Sequence, residues 1–209
     1  MVVKADTDGP DVFYPIVPDL GWLERLVPLG IKTVQLRLKD ASRERVRREI
    51  GGSLEVCSRH GCQLIVNDYW REALSLGADY IHLGQEDLTD ADLPTIKAKG
   101  IRLGISTHSE DELDTALAAA PDYVALGPIY ETRLKAMRWA PQGLDRLTQW
   151  KQRIGRLPLV AIGGLTPLRA DGVRAAGADS LAVITDFFTH PDPPARVSEW
   201  LAWAQRSRP

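Results

Sequence analysis

Short apolar runs rich in Val, Ile and Leu recur along the chain, at residues 13–17, 31–36, 63–66, 79–83, 101–105, 122–126, 157–162 and 179–184. Runs of this length, bounded by turn residues, have the dimensions of buried strands. Most are followed by a polar or glycine-containing turn and then by a segment with helical spacing, such as 110–119, where apolar positions fall three and four apart. Three are preceded by a helix-ending punctuation: Gly-Ala-Asp at 77–79, Ala-Pro-Asp at 120–122 and Gly-Ala-Asp at 177–179. The repeating unit is strand then helix, which implies parallel strands joined by right-handed crossovers. Eight such units of about 25 residues predict an α/β chain folded as a single-domain (β/α)8 TIM barrel. A doubly wound open sheet is the alternative architecture.

The choice bears on function, because a barrel carries its chemistry on the loops that follow the carboxyl ends of its strands. The polar residues obey that rule. Gln35, Arg37 and Lys39 close the second run, Asn67 and Asp68 the third, and Gln85 and Asp87 follow the fourth. Ser106 closes the fifth, Gly127 and residues 132–135 follow the sixth, Gly163 and Gly164 the seventh, and Thr185 the eighth. All of them belong to one rim.

In QLRLK, strand alternation sends Gln35, Arg37 and Lys39 to one face and Leu36 and Leu38 to the other. Two cations and an amide then point into the barrel mouth. The competing use is a solvated edge strand, but a second strand of a closed barrel has no free edge. NDYW and HLGQED bring Asp68 and Asp87 from neighbouring strands towards one another. Carboxylates without thiols suit Mg²⁺, an oxygen-seeking ion that is shared with substrate phosphates. Helix capping and general acid–base work remain the other uses of such a pair. AIGGLTP follows a strand with two glycines and a Thr-Pro helix start, leaving backbone N–H groups free for a phosphate. With Thr185 on the next strand end, the rim has two phosphate-type positions, which suggests two phosphorylated substrates.

Other groups read as structural. His82 lies within a strand and reads as a buried, satisfied histidine. Cys57, His60 and Cys62 do not have the spacing to converge on one metal, and the Arg43–Arg48 stretch reads as a solvated helix face. Arg133 and Arg138 read as loop charges, in a connection, 127–143, that is long enough to serve as a binding loop.

Composition narrows the partners. A formal net charge of −2 across 209 residues gives no basic field for nucleic acid or an anionic membrane. No apolar run approaches the roughly 18 residues of a membrane span, and the polar first residues have no signal core. With two cysteines, expected to remain reduced, a cytoplasmic location is expected. Residues 1–10 are expected to be a flexible terminus and residues 11–209 the barrel domain.

Taken in order, QLRLK, NDYW, HLGQED, GISTH, GPIYETRLK, APQG and AIGG resemble the motif series of the thiamine phosphate synthase family, from residue 35 through residue 164. The resemblance implies a transferase that couples 4-amino-2-methyl-5-(diphosphooxymethyl)pyrimidine with 4-methyl-5-(2-phosphoethyl)thiazole, or its carboxylated form, giving thiamine phosphate and diphosphate. It implies that Gln35, Arg37, Lys39, Asn67, Ser106 and Lys135 hold the pyrimidine diphosphate, with Arg37, Lys39, Lys135 and Ser106 acting in catalysis, and that Leu36, Leu38 and Arg133 belong to the substrate site. Asp68 and Asp87 would hold one Mg²⁺ per subunit. The thiazole phosphate would meet Thr132, Leu134, Gly164, Ile184 and Thr185. The implied chemistry is dissociative: diphosphate leaves, a pyrimidine methyl cation forms, and the thiazole nitrogen captures it.

Two positions depart from the family pattern. Its TxTK reads Thr132-Arg133-Leu134-Lys135 here, and its last-strand serine is Thr185. Leu134 removes a hydroxyl worth about 1 kcal/mol as a neutral hydrogen bond. Met137-Arg138-Trp139 is a further unusual stretch. A thiazole tautomerase-like paralogue and a non-catalytic sensor of thiamine precursors are the alternative functions, and outer-ring helices would allow a homodimer.

Overall fold

The eight apolar runs form eight parallel strands that close on themselves in sequence order, the last pairing with the first. They are β1 (Phe13–Val17), β2 (Thr33–Leu36), β3 (Gln63–Asn67), β4 (Tyr80–Leu83), β5 (Arg102–Thr107), β6 (Tyr123–Leu126), β7 (Leu159–Ile162) and β8 (Ser180–Val183). Around them run α1 (Leu20–Leu26), α2 (Arg43–His60), α3 (Trp70–Leu76), α4 (Gln85–Thr89), α5 (Leu93–Ala98), α6 (Glu110–Ala118), α7 (Gly143–Ile154), α8 (Pro167–Ala175), α9 (Thr185–Phe188) and α10 (Pro193–Ser207). This computed structural model describes residues 9–132 and 139–208. The (β/α)8 barrel is therefore the observed fold, and the open-sheet alternative falls with the closing pairs Phe13↔Leu181 and Tyr14↔Ala182.

Local sequence sets the boundaries. Asp19, Ser42, Asp92, Ser109 and Asp192 each accept a backbone N–H at the start of a helix, the use to which short oxygen-bearing side chains are best suited. Gly61 and Gly77 end α2 and α3 in the left-handed conformation. The three punctuating aspartates also act across the sheet. Asp122 accepts the Leu103 N–H at 2.7 Å, and Asp179 accepts the Leu159 N–H at 2.8 Å. Asp79 accepts from the Gln63 amide at 2.9 Å and faces Arg102 at 3.3 Å. Each joins the start of its own strand to a neighbouring strand, so the amino end of the barrel is stitched by side chains as well as by the ladder.

Strand alternation divides the apolar residues into two layers. Outward positions such as Val34, Leu36, Leu64, Val66, Ile81 and Leu103 pack beneath the helices. Inward positions Tyr14, Ile16, Ile65, Tyr80, Tyr123, Val160 and Ala182 fill the barrel. Tyr123 is accommodated by Gly104, its register partner on β5: a Cβ there would lie 2.1 Å from the tyrosine ring. Arg102 caps the amino end, its guanidinium 4.2 Å from the centre of the Tyr80 ring. α10 covers the β1–β8 seam, with Trp200 stacked on Phe13 at 5.2 Å between ring centres. Arg208 at its end pairs with Asp11 at 2.7 Å.

Several strand bounds shift by one or two residues from the apolar runs, two of them for a visible reason. β2 begins at Thr33 rather than residue 31, because Gly30 in left-handed conformation ends the preceding turn and Ile31 packs before the ladder starts. β5 extends to Thr107, whose hydroxyl bonds the Ala125 carbonyl at 2.8 Å. Cys57 and Cys62 are free and buried. Among the described residues no helix is long and apolar enough to cross a membrane. Of the expected flexible terminus, residues 1–8 lie outside the described residues.

Candidate active site

A cavity of about 520 Å³ opens at the carboxyl ends of the strands, a volume suited to small-molecule substrates. β2 delivers Gln35 to its wall, and the following turn delivers Arg37 and Lys39. The Arg37 N–H bonds the Val17 carbonyl at 2.8 Å, so the strand geometry persists past Leu36 and preserves the alternation. Leu36 and Leu38 point the other way, into the helix-facing core. Asn67, Ser106, Thr132, Gly164, Ile184 and Thr185 line the same cavity. Residues singled out from six separate stretches thus converge, whereas Leu36 and Leu38 do not. Arg133, Leu134, Lys135, Met137 and Arg138 lie outside the described residues.

Asp68 and Asp87 face a smaller recess of about 140 Å³ rather than the main cavity. Asp68 has a left-handed backbone, φ 66°, uncommon for a residue with a side chain. Its N–H is tied to the His82 carbonyl at 2.9 Å, which holds the turn in place. Burial, then the charge and hydrogen bond of Asp87, push the Asp68 carboxyl up to about 6; Arg37 and the Asn67 amide oppose this. Neither aspartate caps a helix: α3 and α4 begin without a side-chain cap. Two partly buried carboxylates at close quarters are a donor set for a hard cation, which would remove their mutual repulsion. Among the described residues no group of three or more His, Cys, Asp or Glu side chains gathers at one point, so the remaining ligands of such an ion would be water and substrate oxygen.

Beneath the cavity runs a buried polar chain. His82 Nδ1 is 2.7 Å from the Tyr123 hydroxyl and Nε2 is 2.7 Å from the Ser106 hydroxyl. Burial, assisted by the charge of Arg37, lowers the imidazole pKa to about 3. A neutral imidazole donates through one nitrogen and accepts through the other, so it fixes the Ser106 hydroxyl without adding charge. His82 is the satisfied, buried histidine expected, and it also lines the cavity.

The wall formed after β6 and β7 is built from backbone. Gly163 and Gly164 have φ of 98° and 66°, and a Cβ on Gly164 would lie 2.6 Å from the Glu131 carbonyl oxygen. Ile129 and Tyr130 donate to the Ile162 and Gly163 carbonyls at 2.9 and 3.1 Å. The two glycines therefore let the loops after β6 and β7 lie against each other, which sets the position of Thr132.

Three features were not read from sequence. Arg45, in the stretch taken as a solvated helix face, lines the cavity beside Lys39. Asp186 lies in the cavity wall next to Thr185. Trp139, from the unusual Met-Arg-Trp stretch, stacks on His108 at 5.6 Å, and Glu112 holds that imidazole at 2.8 Å. The helical phase of Arg45 could have been found from its position on the first turn after QLRLK; the other two contacts join residues of different elements.

A closed (β/α)8 barrel with cations, an acidic pair and a glycine-lined wall on one rim defines an enzyme of small phosphorylated molecules. The family model described as thiamine monophosphate synthase matches residues 13–187. A thiamine-phosphate synthase of Rhizobium etli is 58% identical over 192 residues, covering 92% of this chain and 94% of the relative. One of Escherichia coli O6:H1 is 46% identical over 172 residues, 82% of each chain. A thiamine phosphate pyrophosphorylase from Pyrococcus furiosus superposes with a TM-score of 0.81 at 23% identity, over 93% of this chain and 95% of that one, and shares the fold. The chain belongs to the thiamine monophosphate synthase family.

Proposed function

We infer that the protein is a thiamine-phosphate synthase: a transferase that joins the pyrimidine diphosphate to the thiazole phosphate and releases diphosphate. The observation that carries this reading is the placing of Arg37, Lys39 and Asn67 in one cavity with Gly164 and Thr185, beside the Asp68–Asp87 recess. One side of the cavity offers charge for a diphosphate and the other offers backbone and hydroxyl for a monophosphate. Family membership across residues 13–187 supports the same assignment.

On this reading Gln35, Asn67 and Ser106 orient the pyrimidine, and Arg37, Lys39 and Lys135 stabilise negative charge that grows on the departing diphosphate. Such preorganised charge is effective because it is already in place when the bond breaks. Asp68 and Asp87 would hold one Mg²⁺, whose chemistry when bound is to neutralise diphosphate oxygens. The apolar walls, Ile16, Ile162 and Ala182 among them, exclude the water that would otherwise capture a pyrimidine cation before the thiazole nitrogen does. No protein nucleophile is required. Gly164, Ile184, Thr185 and Thr132 would receive the thiazole phosphate. The reaction would take place in the cytoplasm with two small substrates and no nucleic acid or membrane partner, in a homodimer if the outer helices associate.

The test is an end-point assay with purified protein, both substrates, and Mg²⁺ or EDTA, reading thiamine phosphate by fluorescence after oxidation. Magnesium-dependent product is the expected outcome. Substrate binding without product would overturn the reading.

A further inference from the structure

Asp186 occupies an awkward place. It lines the cavity wall immediately after Thr185, where the reading above seats a phosphate. A free carboxylate at that point would repel the incoming dianion.

The carboxylate is not free. Its side chain is 9% exposed and takes three donors from α10. Arg196 Nε reaches Oδ2 at 2.7 Å, Arg196 Nη2 reaches Oδ1 at 2.9 Å, and Trp200 Nε1 reaches Oδ2 at 2.8 Å. This is the two-pronged guanidinium–carboxylate geometry, which fixes direction as well as charge. The third arm of Arg196 bonds Glu199 at 2.6 Å. Trp200 is fully buried and stacked on Phe13 of β1, so the clamp is anchored on the barrel itself. Arg196 and Trp200 stand behind the wall, outside the cavity lining.

A partly buried ion pair is a poor way to gain stability, because desolvation offsets much of the attraction. Apolar side chains would join α9 to α10 at no such cost. What the pair does accomplish is electrostatic: it turns both oxygens of Asp186 towards α10 and cancels their charge next to the substrate.

We propose that Arg196, backed by Trp200, is a positioning residue that neutralises Asp186 and draws it away from the cavity, so that the wall at Thr185 accepts the phosphorylated thiazole. The proposal rests on the placing of that phosphate at Gly164 and Thr185. It predicts an effect on one substrate and not on the other.

The experiment compares the full-length wild type with R196Q, D186N/R196Q and D186N, measuring KM for each substrate, kcat and thermal stability. R196Q exposes the Asp186 charge while keeping an amide donor. It is expected to raise KM for the thiazole phosphate about tenfold, equivalent to about 1.4 kcal/mol, with KM for the pyrimidine diphosphate and kcat within about twofold. Removing the carboxylate as well, in D186N/R196Q, is expected to bring the thiazole KM back to within about threefold of wild type. A purely structural clamp has the opposite signature: the double variant is no better than R196Q, or both substrates suffer alike, and either result overturns the proposal. If R196Q does not fold, D186N alone decides: a thiazole KM no more than about threefold above wild type supports neutralisation, and a rise of about tenfold refutes it. Gly164→Ala is the control. If it raises the thiazole KM while R196Q does not, the inference about Arg196 fails alone; if neither does, the placing of the phosphate fails with it.

Discussion

At the amino end of the barrel, charged side chains are consumed by one another. Arg102 meets Asp79 and Gln63, Lys151 meets Asp179 at 2.7 Å, and Asp122 and Asp179 complete strand hydrogen bonds. At the carboxyl end the pattern is reversed. Arg37 and Lys39 make no ion pair with any described carboxylate, and Asp68 and Asp87 are crowded together with like charge. One end satisfies its charged groups within the chain; the other pairs some of them, Asp186 with Arg196 and His108 with Glu112, but leaves Arg37, Lys39 and the acidic pair without such partners among the described residues. Stability and function are thus assigned to opposite ends of the same strands, and substitutions should separate accordingly.

The strongest test of that separation is Asp68→Ala. Turnover is expected to fall by about two orders of magnitude or more, while thermal stability without Mg²⁺ stays level or rises, since a crowded carboxylate has gone. Mg²⁺ should then raise the melting temperature of wild type but not of the variant. Near-normal activity at modest Mg²⁺ would remove Asp68 from the metal site. Gly164→Ala should come next. The left-handed backbone and the 2.6 Å approach to Glu131 force the facing loop to move, and a strain of roughly 1–3 kcal/mol should appear as a thiazole KM raised about tenfold with kcat nearly kept. An unchanged KM would mean that the glycine wall is not a binding surface.

The closed end should show the converse. Asp179→Ala leaves the Leu159 N–H without its acceptor and is expected to cost about 1 kcal/mol of stability, the half-exposed ion pair with Lys151 adding little. Equilibrium denaturation measures this, and kcat/KM at 25 °C should change less than about twofold. A larger loss of activity than of stability would break the comparison. The smallest effect concerns His82. Its pKa is near 3 in the fold and near 6.5 when unfolded, so the unfolded chain binds the proton more readily. Its contribution to stability is complete above pH 6.5 and is lost as the pH falls towards 3. NMR of the imidazole should show no titration between pH 8 and 4; a midpoint near 6 would contradict the neutral His82 bridge.

How much of this was legible in the sequence depended on the range of the interaction. Each strand was found because alternation and length are local properties, and β1 spans residues 13–17 as the apolar run indicates. QLRLK was readable for the same reason: Gln35, Arg37 and Lys39 reach the cavity and Leu36 and Leu38 do not. Asp68 directly follows β3 and Asp87 lies in the first turn of α4, just past β4, and barrel geometry brings the segments after adjacent strands together. What stayed hidden joins elements at unrelated spacings. Nothing in TDFF indicates that Asp186 is clamped by a residue ten positions later on another helix, and nothing in GISTH indicates that Trp139 will lie flat against His108. Arg45 is exposed, as a charged helix face should be, but its first turn sits at the rim, so it lines the cavity as well.

The meeting of Asp11 with Arg208 has a topological consequence. Residue 11 lies where β1 enters the barrel and residue 208 lies just past α10, so the described chain begins and finishes at one place, on the side facing away from substrate entry. Sequence order is then nearly circular. A short linker across that gap, with the backbone reopened in the exposed turn at Lys99 and Gly100, should yield a permuted polypeptide that rebuilds the same ring and the same mouth.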